Sequence, residues 1–153
     1  MAPQTTPQKS VLITGASNGQ IGAALVVAFQ QKDFLVFAAV RDPDTATDLA
    51  KLPRVHILKI DLTSAPSITS AVEYVETHTS GRGLDVLINS ARVEFVMPVI
   101  DTSIEEGRRL FDVNIWGTLG MVKGFTPQLI QSKGTIVNLS SIGGLVNTPW
   151  LGN

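Results

Sequence analysis

An α/β fold built on a doubly wound parallel sheet is the architecture this sequence predicts, on three observations. Short, largely apolar runs recur at Ser10–Thr14, Phe34–Val40, Val55–Ile60, Leu84–Asn89 and Thr135–Leu139. Segments of helical pattern separate them, and a glycine-rich turn, Thr14-Gly15-Ala16-Ser17-Asn18-Gly19-Gln20-Ile21-Gly22, joins the first run to the first helical segment. Strands alternating with helices at this spacing make βαβ units, whose crossovers are right-handed in nearly all cases.

The elements follow in order. Ser10–Thr14 reads as a strand stopped at Gly15, and Gly19–Lys32 runs without a helix breaker until Asp33. Phe34–Val40 is continuously apolar, too short for an ordinary helix and followed by Asp42-Pro43, so it reads as a strand buried on both faces. A short helix is expected over Thr45–Leu52 and a third strand over Val55–Ile60. A helix over Ala65–His78 has Ser64 as N-cap and Pro66 in its first turn, where a missing N–H costs nothing. The Gly81-Arg82-Gly83 turn ends it, Leu84–Asn89 is the fourth strand, and 92–101 reads as loop. One long helix is expected from Ser103, its cap, to Ser132, with Glu105 and Glu106 favoured by the N-terminal dipole. Gly134 should close it before the fifth strand.

A chain of 153 residues with 44% apolar content holds one domain with a sizeable core. Twelve basic against 13 acidic residues leave a net charge of −1, with no pull toward nucleic acid or anionic lipid. Cysteine is absent, which excludes disulfides, thiolate zinc sites and a cysteine nucleophile; no metal site is expected. Residues 1–8 read as a flexible lead with no apolar signal core, and Ile21–Phe29 is too short to span a bilayer. A soluble, cytoplasmic protein is therefore expected.

Gly15, Ser17, Asn18, Gly19, Ile21 and Gly22 are candidate cofactor-binding residues, because small residues between a strand and a helix let backbone amides approach a pyrophosphate. Gly15-Ala16-Ser17-Asn18-Gly19 also spells the nucleophile elbow of α/β-hydrolases. That reading needs a downstream histidine, and the chain has only His56 and His78, in a strand and at a helix end. Arg41 stands at the end of the second strand, where an acid would favour NAD(H) and an arginine accommodates the 2′-phosphate of NADP(H). Asp42 is positioned to pair with Arg41 or to take the ribose hydroxyl itself; NADP(H) is favoured over NAD(H).

The order of the pieces resembles the short-chain dehydrogenase/reductase family, classical type. They are the glycine turn, Ile60-Asp61-Leu62, Leu87-Ile88-Asn89-Ser90-Ala91, Asp112-Val113-Asn114 and Ile136-Val137-Asn138-Leu139-Ser140-Ser141. The resemblance implies a Rossmann-like NAD(P)-binding domain over residues 9–153. By it, Asp61 and Leu62 border the adenine, Asn89 and Ala91 line the cofactor, Asn114 is the structural asparagine of a catalytic tetrad, and Ser141 orients the substrate carbonyl. The substrate class implied is a small carbonyl compound or alcohol. Read without the resemblance, Asp61 is a strand-end cap and Asn114 a polar residue on a helix.

Three departures from the family pattern stand out. The glycine turn carries one residue more than the usual spelling, which puts the packing of Gly22 in question, and Arg92 stands where the family keeps glycine, able to crowd a cofactor or reach a phosphate. The family's Tyr-x-x-x-Lys, at its usual spacing from the serine, would begin one position past Asn153. The only tyrosine, Tyr74, lies in another context and reads as packing. Without that acid–base group this chain is expected to be catalytically incomplete, and its fifth strand to be an exposed edge open to self-association. The alternatives are a non-catalytic nucleotide-binding or interaction module and a shortened gene product without activity. Asn138-Leu139-Ser140 also spells a glycosylation sequon, set aside because its strand is expected to be buried and no secretion signal is read in the sequence. Trp150 and Leu151 hint at an apolar pocket wall.

Overall fold

A computed structural model describes residues 8–94 and 96–146. The expected lead, apart from Gln8, and Trp150 and Leu151 lie outside the described residues. Five strands, β1 (Ser10–Thr14), β2 (Leu35–Val40), β3 (Val55–Lys59), β4 (Val86–Asn89) and β5 (Thr135–Asn138), form one sheet in the order β3-β2-β1-β4-β5. All four pairings are parallel. The order turns back on itself between β1 and β4, the switch point at which open α/β sheets open a crevice.

The alternation of side chains along each strand builds a core on both faces. Leu12, Phe37, Leu58 and Leu87 face helices α2 (Ala65–His78) and α4 (Thr118–Ser132), meeting Ile68, Val75, Met121, Phe125 and Leu129. Val11, Ile13, Val36, Ala38, Val40 and Ile88 face the other way, onto Ala23 and Val26 of α1 (Ile21–Gln30). All six residues of β2 are buried, as its unbroken apolar run requires. Ser64 caps α2, its hydroxyl accepting from the Ser67 N–H, and Ser103 caps α3 (Ile104–Phe111) by accepting from the Glu106 N–H.

Several sequence expectations are corrected. Thr45–Leu52 is not a helix; two 3₁₀ turns, Pro43–Ala46 and Leu49–Lys51, occupy the stretch, because Asp42 caps the first with its carboxylate on the Asp44 N–H and so starts the turn at Pro43. The long helix is interrupted by a π-helical turn, Asp112–Gly117, between α3 and α4. Its end is not made by glycine: Lys133 adopts the left-handed conformation (φ 55°), while Gly134 is needed for space, since a Cβ there would sit 2.5 Å from the Leu84 carbonyl oxygen. The fifth strand is exposed along all four residues, as an edge strand was expected to be, so the burial argument against the Asn138 sequon does not hold.

Tyr74 packs at the surface rather than in the core. Its ring stacks on His78 (centroids 3.9 Å apart) and its hydroxyl lies 3.1 Å from His56 Nδ1, with the buried Phe37 beneath. Partial burial, then the nearby His78, hold the His56 imidazole below its ordinary pKa of 6.5.

The carboxyl ends of β1 and β4 are joined by one side chain. Thr14 Oγ1 accepts from the N–H groups of both Ser90 and Ala91, each at 3.0 Å, and Thr14 is buried.

Two predictions follow from this packing. Thr14→Val keeps the shape and leaves two part-buried N–H groups without a partner, so the unfolding free energy in urea should fall by about 1–3 kcal/mol; an unchanged midpoint would contradict this. For His56, the unfolded chain takes up a proton at higher pH than the folded one. The stability present above the ordinary histidine pKa is therefore lost as pH falls below about 6.5 toward the folded value. The urea midpoint should drop between about pH 7 and pH 5, and His56→Gln should flatten that slope.

Candidate functional site

At the carboxyl ends of the central strands lies a cleft of about 440 Å³. β1 and the glycine turn supply Thr14, Gly15, Ser17, Gln20 and Ile21; β2 supplies Val40 and Arg41; β3 supplies Ile60, Asp61 and Leu62. The loop after β4 closes the cleft with Ser90, Ala91, Arg92 and Val93. Of the residues read from the sequence, Gly15, Ser17, Ile21, Arg41, Asp61, Leu62 and Ala91 meet here.

Gly15 has φ 71°, and a Cβ on it would come within 2.7 Å of the Ala91 Cα, so the turn and the β4 loop touch only because no side chain intervenes. Gly22 does not line the cleft, yet it packs as the shorter family spelling would have it: a Cβ would fall 2.3 Å from the Gly15 carbonyl oxygen. The extra residue in the turn has therefore not displaced helix from strand. Asn18 and Gly19 lie outside the cleft wall; Asn18 donates its N–H to the Thr45 carbonyl at 2.7 Å, and Gly19 takes a left-handed turn position with φ 79°.

At the start of α1, Gln20 makes no side-chain capping bond, in contrast to Ser64 and Ser103 on the next two helices. The first N–H groups of α1 are thus left for another partner, and the positive end of its dipole faces the cleft that Gln20 and Ile21 line.

Among the described residues Asp42 forms no ion pair with Arg41. Its Oδ1 accepts from the Asp44 N–H at 3.1 Å, and Arg41, not Asp42, lines the cleft. Asp61 is both cap and cleft residue. Its Oδ1 accepts from the Thr63 hydroxyl (2.7 Å) and the Thr63 N–H (2.9 Å), and these bonds hold its carboxyl below the ordinary range against the opposing effect of burial, with a lesser contribution from the Arg41 charge. Arg92 is half-exposed, with Nε 3.9 Å from Glu94 Oε2 on the cleft rim.

Asn89 stands apart from the candidates that meet in the cleft. It is buried, donates from Nδ2 to Asn138 Oδ1 at 2.8 Å, and does not line the cleft; it ties β4 to β5. Asn114 faces neither solvent alone nor the cleft. Its Oδ1 accepts from the Val93 N–H (2.9 Å) and its Nδ2 donates to the Val93 carbonyl (2.8 Å), a two-point clamp presented by the π-helical turn on the loop that closes the cleft. Ser141, just past β5, is exposed and outside the cleft wall, its hydroxyl accepting from the Gly143 N–H at 3.1 Å.

The hydrolase reading finds no support in this geometry. Ser17 Oγ lies 2.9 Å from Thr45 Oγ1, and the cleft is lined by no histidine; His56 and His78 sit together between β3 and α2. Sequence reasoning missed two residues that organise the site. Thr14 was visible as the last residue of a strand before the turn, whereas Thr45 carries no local signal. Among the described residues no helix is long and apolar enough to cross a membrane.

Comparison with known proteins now adds ancestry. A short-chain dehydrogenase of Penicillium ochrochloron is 42% identical over 145 residues, which are 95% of this chain and 53% of that protein. The NADPH-dependent 1-acyldihydroxyacetone phosphate reductase of Schizosaccharomyces pombe is 41% identical over 135 residues, 88% of this chain and 45% of that one. The chain spans about half the length of the curated relatives it matches. The structure of NADPH-bound carbonyl reductase from chicken fatty liver superposes with a TM-score of 0.83 at 28% identity, over 92% of this chain and 60% of that one. The family profile described as short chain dehydrogenase matches residues 9–153, and the chain accordingly belongs to the short-chain dehydrogenase family.

Proposed function

We propose that these residues form the coenzyme-binding portion of an NADP(H)-dependent oxidoreductase that interconverts a carbonyl and a secondary alcohol. The observation that carries this reading is the single cleft in which the glycine turn, Arg41 and Asp61 meet at the switch point of the sheet. The residues present fit a dinucleotide. The uncapped start of α1 suits a pyrophosphate, and the missing Gly15 side chain leaves room for backbone to approach it. Arg41 offers a fork to a 2′-phosphate, and Asp61 and Leu62 border the adenine side. The S. pombe relative is named NADPH-dependent and the chicken reductase structure is NADPH-bound, which supports the same choice of coenzyme.

When bound, the coenzyme supplies or accepts a hydride. Asn114 holds the Val93 backbone, and with it the wall Ala91–Val93, in place. Ser141 lies at the same end of the sheet; because its oxygen accepts from Gly143, its own proton is left to orient a carbonyl oxygen. Proton transfer to the developing alkoxide needs a tuned acid, which the family places in a Tyr-x-x-x-Lys segment not found in residues 1–153. We therefore read residues 1–153 on their own as binding coenzyme without turning over substrate.

Calorimetric titration tests the coenzyme reading. NADPH should bind in a 1:1 ratio, and Arg41→Ala should weaken it by roughly 10- to 100-fold, the worth of a charge-assisted bond to phosphate, with NADH changed by no more than about 2-fold. Equal losses for both coenzymes would remove Arg41 from the 2′-phosphate. A carbonyl-reduction assay tests the second part. Residues 1–153 alone should fall about 10²- to 10⁴-fold below the same protein extended through a Tyr-x-x-x-Lys segment. Comparable rates from the two would show that the acid lies within residues 1–153.

A further inference from the structure

The directions of two hydrogen bonds at the corner after β2 determine where one proton goes. Thr45 Oγ1 lies 2.6 Å from the Asp42 carbonyl oxygen, which accepts and never donates, so the Thr45 proton is committed there. Ser17 Oγ lies 2.9 Å from the same Thr45 oxygen. With the Thr45 proton already placed, that contact requires Ser17 to be the donor. Ser17 and Arg41 both line the cleft, yet the only Ser17 hydroxyl proton is directed out of it, toward a residue that does not line it.

We propose that Thr45 is a specificity-determining residue that, by holding the Ser17 proton, limits how tightly the cleft grips the 2′-phosphate distinguishing NADPH from NADH. The inference rests on the NADP(H) reading above. A phosphate oxygen only accepts hydrogen bonds, so Ser17 presents it with lone pairs while bonded to Thr45 and helps bind it only after rotating away. Removing the Thr45 hydroxyl frees that proton. The corner itself keeps its backbone bonds, Asn18 N–H to the Thr45 carbonyl at 2.7 Å and Thr45 N–H to the Asp42 carbonyl at 3.1 Å, neither of which uses the Thr45 side chain. Thr45 is thus a positioning residue acting through Ser17, and its effect is confined to the coenzyme carrying the extra phosphate.

The test is calorimetric titration of the chain with NADPH and with NADH. Thr45→Val, of the same shape, should tighten NADPH by roughly 3- to 10-fold, a fraction of one charge-assisted bond, and move NADH by less than about 2-fold. Thr45→Ser, which restores the hydroxyl, should return the wild-type ratio, and adding Ser17→Ala to Thr45→Val should abolish the tightening. If Thr45→Val does not fold, Thr45→Ala removes the same hydroxyl. An unchanged NADPH-to-NADH ratio, an equal loss for both coenzymes, or tightening in Thr45→Ser would each overturn the proposal, while NADPH binding by the wild-type chain would leave the NADP(H) reading standing. A wild-type chain that binds neither coenzyme would overturn the NADP(H) reading and this proposal with it.

Discussion

The site depends on how closely the carboxyl ends of β1 and β4 approach. A threonine hydroxyl has one proton and two lone pairs, and Thr14 uses both lone pairs on Ser90 and Ala91, with the Ile88 carbonyl 3.5 Å away to receive the proton. One residue further on, Gly15 lets the turn come into contact with Ala91. Parallel strands diverge beyond their last paired residues, so without this junction the crevice between β1 and β4 would have no fixed width. From there the constraint passes along the chain: Ala91 leads to Val93, Val93 is clamped by Asn114, and Asn114 is carried by the π-helical turn. A single buried hydroxyl thereby sets the position of the wall that the long helix then secures.

Most of the fold was legible because it is written in local patterns. An apolar run bounded by Gly15, or by Asp42-Pro43, has few ways to be anything but a buried strand, and Ser64 three residues before Ser67 marks a helix start by chemistry alone. What escaped was set by tertiary contacts or by competition at short range. Asp42 reads as a charge and acts as a cap, which turned an expected helix into two 3₁₀ turns. The π-helical turn has only Gly117, at its end, as a sequence signal, and a Cβ there would meet Leu62; it is the place where Asn114 must reach Val93, 21 positions away. Lys133 in a left-handed conformation could not be foreseen beside a glycine that would adopt it more cheaply.

The same division holds at the site. Gly15, Ser17, Ile21 and Arg41 were readable because a βα turn and a strand end are sequence-local features that the parallel sheet brings together. Asn89 was harder to place because its side chain is drawn sideways to Asn138 on β5, a partner 49 positions away, while Ser90 and Ala91, past the end of β4, line the cleft. Thr45 was invisible because its importance comes from two partners, Ser17 and Asp42, that only the folded corner unites.

Charge at that corner follows from the same hydrogen bonds. Four acids surround Arg41 in sequence or space, and on composition alone they should repel a phosphate. The fold fixes where three of these carboxylates point without removing their charge. Asp42 turns its carboxylate onto the Asp44 N–H, Asp48 is paired with Lys51 at 3.0 Å, and Asp61 points its Oδ1 at Thr63. Asp44 and Asp48 lie outside the cleft wall, as does Asp42, so Arg41 meets only Asp61 there. The electrostatic character of the crevice is therefore set less by how many charges the segment carries than by which of them the turns after β2 and β3 direct away from it, and Asp61, kept ionised by its Thr63 bonds, is the acid that remains in the wall with Arg41.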